Sequence, residues 1–287
     1  LAELKTLQEV VDFFHQSVAT PGDHAALHKK AGKTVAARYI ARAVPVDLPK
    51  TGQLNLSPDE QILIVDDGDE TGIGLQQALS DKGYKTTLLQ FNEFNPASKK
   101  RADVCVDLHG LNAKVIQALL DAIIEKNGPI GGFVQINPLG NKQGDIAEFF
   151  NANESKLLKT VFFMAKHLKP LMSAGTDAGH RFFIIATRID GKIGLNGIQS
   201  RSVLQGGYYG LTKSLKKEAP RLFCRNIDIA PHMTSADICA IVLDELHDTA
   251  DLHPEIGRTT RTERFILGKK ESSVEHNGNG AAGPDPH

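Results

Sequence analysis

The sequence predicts an α/β fold built on a doubly wound, mostly parallel sheet, and three observations predict it. From Gln61 onward, short apolar runs alternate with longer amphipathic ones, the order that builds βαβ units with right-handed crossovers. Two of the short runs, residues 62–65 (ILIV) and 182–186 (FFIIA), are continuously apolar, as strands covered on both faces are. After ILIV the chain carries three closely spaced glycines and then turns helical, the punctuation of a first βα unit.

Each element follows from its pattern. Leu4, Leu7, Val10, Val11 and Phe14 recur at helical spacing, so residues 1–18 read as a short amphipathic helix. Thr20-Pro21-Gly22-Asp23 ends it. A helix that short must dock on something to bury its apolar face. Residues 21–60 are punctuated by Pro45, Pro49, Gly52 and Pro58, and only residues 37–46 (ARYIARAVPV) have strand character. This stretch reads as a linker with a leading strand. A helix at 74–82 follows the ILIV strand, then strands at 86–91 and 104–106 and a helix at 113–125. Residues 132–136 form a strand and 154–172 a long helix. After FFIIA come a helix at 208–217, a strand at 226–229, a helix at 235–246 and a closing strand at 264–267. One domain is expected over residues 61–268. Residues 269–287, rich in Gly, Pro and polar side chains, are expected to be a flexible tail or linker.

Composition narrows the function classes. The 287 residues carry 33 basic and 34 acidic side chains, a net charge of -1, with 41% hydrophobic residues. This is ordinary globular composition, and without a basic surplus no nucleic-acid partner is expected. No apolar run approaches the roughly 20 residues of a membrane span, and no signal peptide is read. Cys105, Cys224 and Cys239 lack CxxC or Cys/His spacing. That argues against a disulfide scaffold and a zinc module and for a reducing, cytoplasmic setting. No metal site is expected, because the histidines have no ligand spacing; His24 and His28 read as a solvated pair.

The turn after ILIV is the most informative stretch. Gly68, Gly72 and Gly74 stand in G-x-x-x-G-x-G spacing, as in the dinucleotide turn of short-chain dehydrogenases, where glycines let a pyrophosphate approach the positive end of a helix. Between and before them lie Asp66, Asp67, Asp69 and Glu70. At ~5 Å and an effective dielectric near 20, each like-charge pair with a bound polyanion costs about 3 kcal/mol before screening. The competing reading is a tight turn whose acids cap the helix and occupy the anion site themselves. Tyr209-Gly-Leu-Thr-Lys213 is a Tyr-x-x-x-Lys; one turn apart, the ammonium can lower the phenol pKa and the phenol can protonate a carbonyl. A substrate-orienting hydroxyl is missing from the window Leu195-Asn196-Gly197, and Thr187 at the end of FFIIA is the nearest substitute, with Ser200 and Ser202 close to Tyr209. Asn137, after GFVQI, and Asp107, where adenine is often held, are further cofactor-side candidates. Residues 90–93 offer no basic reader for an NADPH phosphate.

Together these stretches resemble the ketoreductase region of a type I polyketide synthase, of the polyunsaturated fatty acid synthase type. LAELKTLQEVVDFF at the start is similar to the trailing helix of an acyl carrier protein, without the carrier's Asp-Ser-Leu phosphopantetheine site. ARYIARAVPV is similar to the leading strand of a ketoreductase. Most specific is residues 206–231, GGYYGLTKSLKKEAPRLFCRNIDIAP, followed by PEIGRTTRTERFIL at 254–267. Such ketoreductases contain two Rossmann-like halves, a truncated structural one and a catalytic one that binds NADPH, and the match is to the structural half. The resemblance spans almost the whole chain, weakest at 140–155 and in the tail, and no second strand–TGG–helix unit occurs within the 287 residues.

The resemblance implies a Rossmann-like, short-chain dehydrogenase/reductase-like fold and a non-catalytic subdomain without a cofactor of its own. Its partners would be the catalytic ketoreductase half and the acyl carrier domain of the same synthase. The alternative is an active NADPH-dependent 3-ketoacyl ketoreductase, with Tyr209 as acid, Lys213 as its pKa-lowering partner, Thr187 or Ser202 orienting the carbonyl, and Gly68, Gly72, Gly74, Asp107 and Asn137 on the cofactor. A Rossmann-like binding module for another ligand is a third reading. In the structural reading, a sizeable apolar patch is expected where the partner half docks.

Overall fold

The computed structural model describes residues 38–50, 52, 54–66, 68, 70–94, 102–139, 152–173, 181–196, 203–248 and 253–272. The helix expected at 1–18 and most of the tail lie outside them. Residues Ala41–Lys269 form one compact unit. The compact unit takes in most of the strand read within residues 21–60.

Nine strands make a single sheet: β1 (Arg38–Val46), β2 (Gln61–Asp66), β3 (Lys85–Phe91), β4 (Val104–Val106), β5 (Ile130–Ile136), β6 (Phe182–Thr187), β7 (Phe223–Ile229), β8 (Glu255–Arg258) and β9 (Arg264–Ser272). Among the described residues five α-helices accompany them: α1 (Thr71–Ser80), α2 (Ala113–Asn127), α3 (Ala152–Ser173), α4 (Gly207–Glu218) and α5 (Ser235–Leu246). The strand order is β1-β9-β8-β7-β6-β5-β2-β3-β4. Strands β2 to β8 pair parallel, and only β9 runs antiparallel to β8. From β2 the chain winds outward through β3 and β4, then returns to β5 on the other side of β2 and winds away through β8. The C-terminal ends of β2 and β5 therefore flank the switch point, where doubly wound sheets bind ligands.

The all-apolar runs do what their composition requires. Ile62, Ile64 and Ile184 face one core with Leu75 and Leu79 of α1 and Ile238, Ile241 and Val242 of α5. Leu63, Val65, Phe183 and Ile185 face the other, with α2, α3 and α4. Every residue of β2 and β6 is buried, and Phe133 stacks on Phe183 across β5 and β6 with ring centroids 4.4 Å apart.

Helix starts are set by local polar chemistry. The Asn112 carboxamide oxygen accepts the Lys114 and Val115 amides at 3.0 and 3.1 Å to open α2, and Thr234 accepts the Asp237 amide at 3.2 Å to open α5. Helix α1 begins at Thr71, three residues before the sequence places it, because its cap comes from β2 rather than from the turn. The sequence reading also misses β8 and the first three residues of β7. Glu255–Arg258 is too short to declare a period, and Arg225 interrupts the apolar run of β7.

Candidate functional site

The site is built at the C-terminal end of β2, where Asp66 is buried. Its Oδ1 accepts the Gly72 amide at 3.0 Å and its Oδ2 accepts the side-chain amide of Gln90, from β3, at 2.6 Å. The carboxylate therefore sits at the N-terminus of α1, where the helix dipole and free amides favour an anion. Gly72 must lack a side chain, because a Cβ there would come within 2.5 Å of the Asp66 carboxyl. Gly68 holds a φ of 94°, the turn that lets the chain double back. Gly74 lies against α5, where a Cβ would be 3.2 Å from the Cys239 sulfur. Of the four acids in the turn, Asp66 alone is seen capping the helix. Glu70 occupies the cap position without a side-chain bond to the helix and is exposed, which corrects its expected share in that role. Asp67 and Asp69 lie outside the described residues.

The neighbouring cofactor-side candidates have partners within the protein. Asn92, at the end of β3, donates to the Asp107 carboxylate at 2.5 Å. The next residue, Glu93, accepts the Leu108 and His109 amides at 2.9 and 3.1 Å. Burial pushes the Glu93 carboxyl up, but these amides and the nearby His109 outweigh it and hold it below its ordinary value. Asn137 is buried and bridges β5 to β6, its side-chain and backbone amides both donating to the Ala186 carbonyl at 2.9 and 3.0 Å.

At the ends of β6 and α4 the structure brings Thr187 and Tyr209 together, hydroxyl to hydroxyl at 3.4 Å, and both are buried. Thr187 has a shorter bond, donating to the Asn226 side chain at 3.1 Å. Burial raises the Tyr209 phenol well above its ordinary pKa, and Asp228, Asp190 and Glu255 reinforce this against the Thr187 hydrogen bond. The Lys213 ammonium, 47% exposed, pairs with Glu255 of β8 at 2.8 Å. Ser200 and Ser202 lie outside the described residues.

Sequence reasoning missed two side-chain devices at this strand end. Gln205 accepts the Arg188 amide at 2.6 Å and donates to the Pro138 carbonyl at 2.9 Å, tying the chain after β6 to the chain after β5. Beside it, Asn137, Glu154, Leu157 and Tyr208 leave a space of about 10 Å³, no more than one water requires. The second device is Asp228 with Asp190. Asp228 accepts the Ile189 and Ile193 amides at 2.8 and 2.9 Å; Asp190 accepts those of Lys192, Gly194 and Asn196 at 2.7, 2.9 and 2.6 Å. Ile193 is held at a φ of 62°, a conformation that a β-branched residue adopts only when its surroundings dictate it. Burial raises Asp228 to about 7, and its hydrogen bond with Asp190 and that neighbour's charge add to the effect against the Ile189 and Ile193 amides. The spacing Asp190…Asp228 carries no motif that a sequence could reveal.

The larger groove, about 630 Å³, lies elsewhere, lined by Tyr84, Leu243, Asp244 and His247, and it contains none of the predicted site residues. Among the described residues no cluster of His, Cys, Asp or Glu could hold a metal, and no helix is long and apolar enough to cross a membrane.

No family model matches the sequence. Over 217 residues, 72% of this chain, it is 24% identical to one of the subunits of the polyunsaturated fatty acid synthase of Thraustochytrium sp., and the chain spans 7% of that protein's length. Among solved structures it is similar to a short-chain dehydrogenase/reductase, glucose/ribitol dehydrogenase, from Brucella melitensis. The TM-score is 0.52 at 13% identity, with 71% of this chain and 95% of that one covered. It is also similar to an A-type ketoreductase from a modular polyketide synthase, with a TM-score of 0.49 at 16% identity, covering 85% and 44% of the two chains. The fold is thus the mostly parallel Rossmann-like sheet of short-chain dehydrogenases, in a chain distantly homologous to one segment of a polyunsaturated fatty acid synthase.

Proposed function

We propose that this chain is the non-catalytic, structural half of a ketoreductase region in a polyketide or polyunsaturated fatty acid synthase, lying beside the catalytic half and the acyl carrier domain. The observation that carries the reading is Asp66, whose buried carboxylate holds both the Gly72 amide and Gln90 at the N-terminus of α1. The fold implies a nicotinamide dinucleotide, and the residues present do not fit one. A pyrophosphate at this helix end would meet a fixed negative charge and an amide already engaged. On the adenine side Glu93 holds the Leu108 and His109 amides, and Gln90 and Asn92 supply no positive charge for a 2′-phosphate.

A second reading, an NADPH-dependent ketoreductase, is favoured by one observation: the Thr187 and Tyr209 hydroxyls face each other. It would use Thr187 to orient a carbonyl and Tyr209 as the acid. Against it, Lys213 is paired with Glu255, and burial, reinforced by Asp228, Asp190 and Glu255, raises the phenol's pKa, the opposite of what a proton donor near neutral pH requires.

Thermal melts in millimolar NADPH, and reduction of a decalone by the chain alone and with its downstream half, separate the two. The structural reading expects no shift in midpoint, and reduction only with the downstream half, unaltered by Tyr209→Phe. Micromolar NADPH binding, or loss of turnover in Tyr209→Phe, would overturn it.

A further inference from the structure

The two helix layers differ sharply in charge although the chain as a whole is nearly neutral. Helices α3 and α4 carry seven lysines against two glutamates and no arginine. On the opposite layer, α1 has no charged residue and α5 has three acids and no base. Helix α2, beside α3, is balanced.

The lysines are ordered about an exposed aromatic. Lys159, Phe162, Lys166 and Lys169 follow one another at steps of three, four and three along α3, so they share one face of the helix. Phe162 is 51% exposed at the middle of that stripe. Helix α4 continues the surface. Gly207 packs against Leu158, and Lys169 pairs with Glu218 at 2.6 Å. Both contacts have the same offset of 49 residues, so the two helices run parallel and Phe162 is level with Leu211. A Cβ on Gly210, the residue before it, would meet nothing within 4 Å, so α4 is open at that position. Lys159, Lys166 and Lys217 form no ion pair among the described residues.

We infer that this face of α3 and α4 docks an acidic protein domain, with Phe162 as its apolar anchor and the lysines as a charged rim. The inference rests on the reading of the chain as one piece of a multidomain synthase, which supplies the partner in the same polypeptide. An apolar centre within a polar rim is the anatomy of a protein interface. A surface of lysines without arginine suits steering by carboxylates, whereas bidentate phosphate recognition draws on arginine.

Zero-length carbodiimide cross-linking of the intact parent protein tests this, because it joins a lysine only to a carboxylate in contact with it. The expected products link Lys159, Lys166 or Lys217 to Asp or Glu of another domain. That domain, titrated against this chain, should bind at least tenfold more weakly to the Lys159→Glu/Lys166→Glu/Lys217→Glu variant and several-fold more weakly to Phe162→Ser. Both variants lie on the surface and should melt like the parent chain. Raising the salt from 50 to 200 mM should weaken the parent chain's binding and leave the triple variant's nearly unchanged. Cross-links confined to this chain's own acids would overturn the inference. So would lysine-dependent binding to phosphatidylserine vesicles or duplex DNA with no interdomain cross-link. NADPH binding by the isolated chain would sink the structural-half reading without altering the cross-link pattern, so the two failures are distinguishable.

Discussion

Asp66 illustrates how one side chain can decide what a turn is for. Its neighbours keep the glycine spacing of a dinucleotide turn, yet its carboxylate fills the place that the spacing leaves free. Replacing it by Ala should leave the buried Gly72 amide without this acceptor and take one acceptor from Gln90, at about 1–3 kcal/mol, read as a lower urea midpoint. The same variant should bind inorganic pyrophosphate more tightly than the parent chain. Equal affinity would mean that the shape of the turn, and not its charge, excludes the anion.

Asp228 makes a second residue-scale prediction. In the folded protein its pKa is raised to about 7, against about 3.9 in an unfolded chain. Between those values the folded form keeps a proton that the unfolded form has released, so this group's contribution to stability is present at low pH and is lost as the pH rises through 7. Urea midpoints from pH 5 to pH 8 should therefore fall more steeply for the parent chain than for Asp228→Asn. Parallel profiles for the two proteins would refute the assignment.

Among the elements, α5 and the last three strands are joined by a buried charge cluster. Glu245 and Asp248 receive Arg225 from β7 and Arg264 from β9, and Glu245 also receives Arg258 from β8, with N–O distances of 2.7–3.0 Å. All three guanidinium groups are buried. Glu245→Ala should cost about 3–5 kcal/mol, because it strands buried positive charge rather than merely removing an attraction. Denaturant unfolding of that variant measures it, and a loss below ~1 kcal/mol would show that water reaches the cluster. Arg258 and Arg264 were legible in the sequence as part of PEIGRTTRTERFIL and Arg225 as part of residues 206–231, but none as a partner of Glu245, which lies in a helix whose apolar period alone was readable. Helix α1 teaches the same lesson: its start is fixed by a strand residue six positions earlier, beyond the reach of a local capping rule.

For the whole molecule, the switch point of the sheet is preserved while what would occupy it is supplied internally. Asp66, Glu93, Asn137, Gln205 and the Asp190–Asp228 pair tie each loop to its neighbour. The large apolar side chains exposed among the described residues include Val115 on α2, Leu139 after β5, Phe162 and Leu171 on α3, and Leu267 on β9. If the proposed docking face on α3 and α4 holds, association with a partner domain should be markedly salt-sensitive.

The sequence by itself determined the fold class, the strand order's parallel character and nearly every element, because burial on both faces of a sheet requires continuous apolar runs and helices require a 3.6-residue period. It also located the three glycines in the turn and helix after β2, Thr187 at the end of β6, and Tyr209 and Lys213 on α4. Only the tertiary structure decided that the Lys213 ammonium turns to Glu255, that Thr187 reaches Tyr209, and that Asp66 rather than Glu70 holds α1. Those outcomes depend on hydrogen bonds and ion pairs that join different elements of the fold, whose strength is set by burial and distance and leaves no period in the chain.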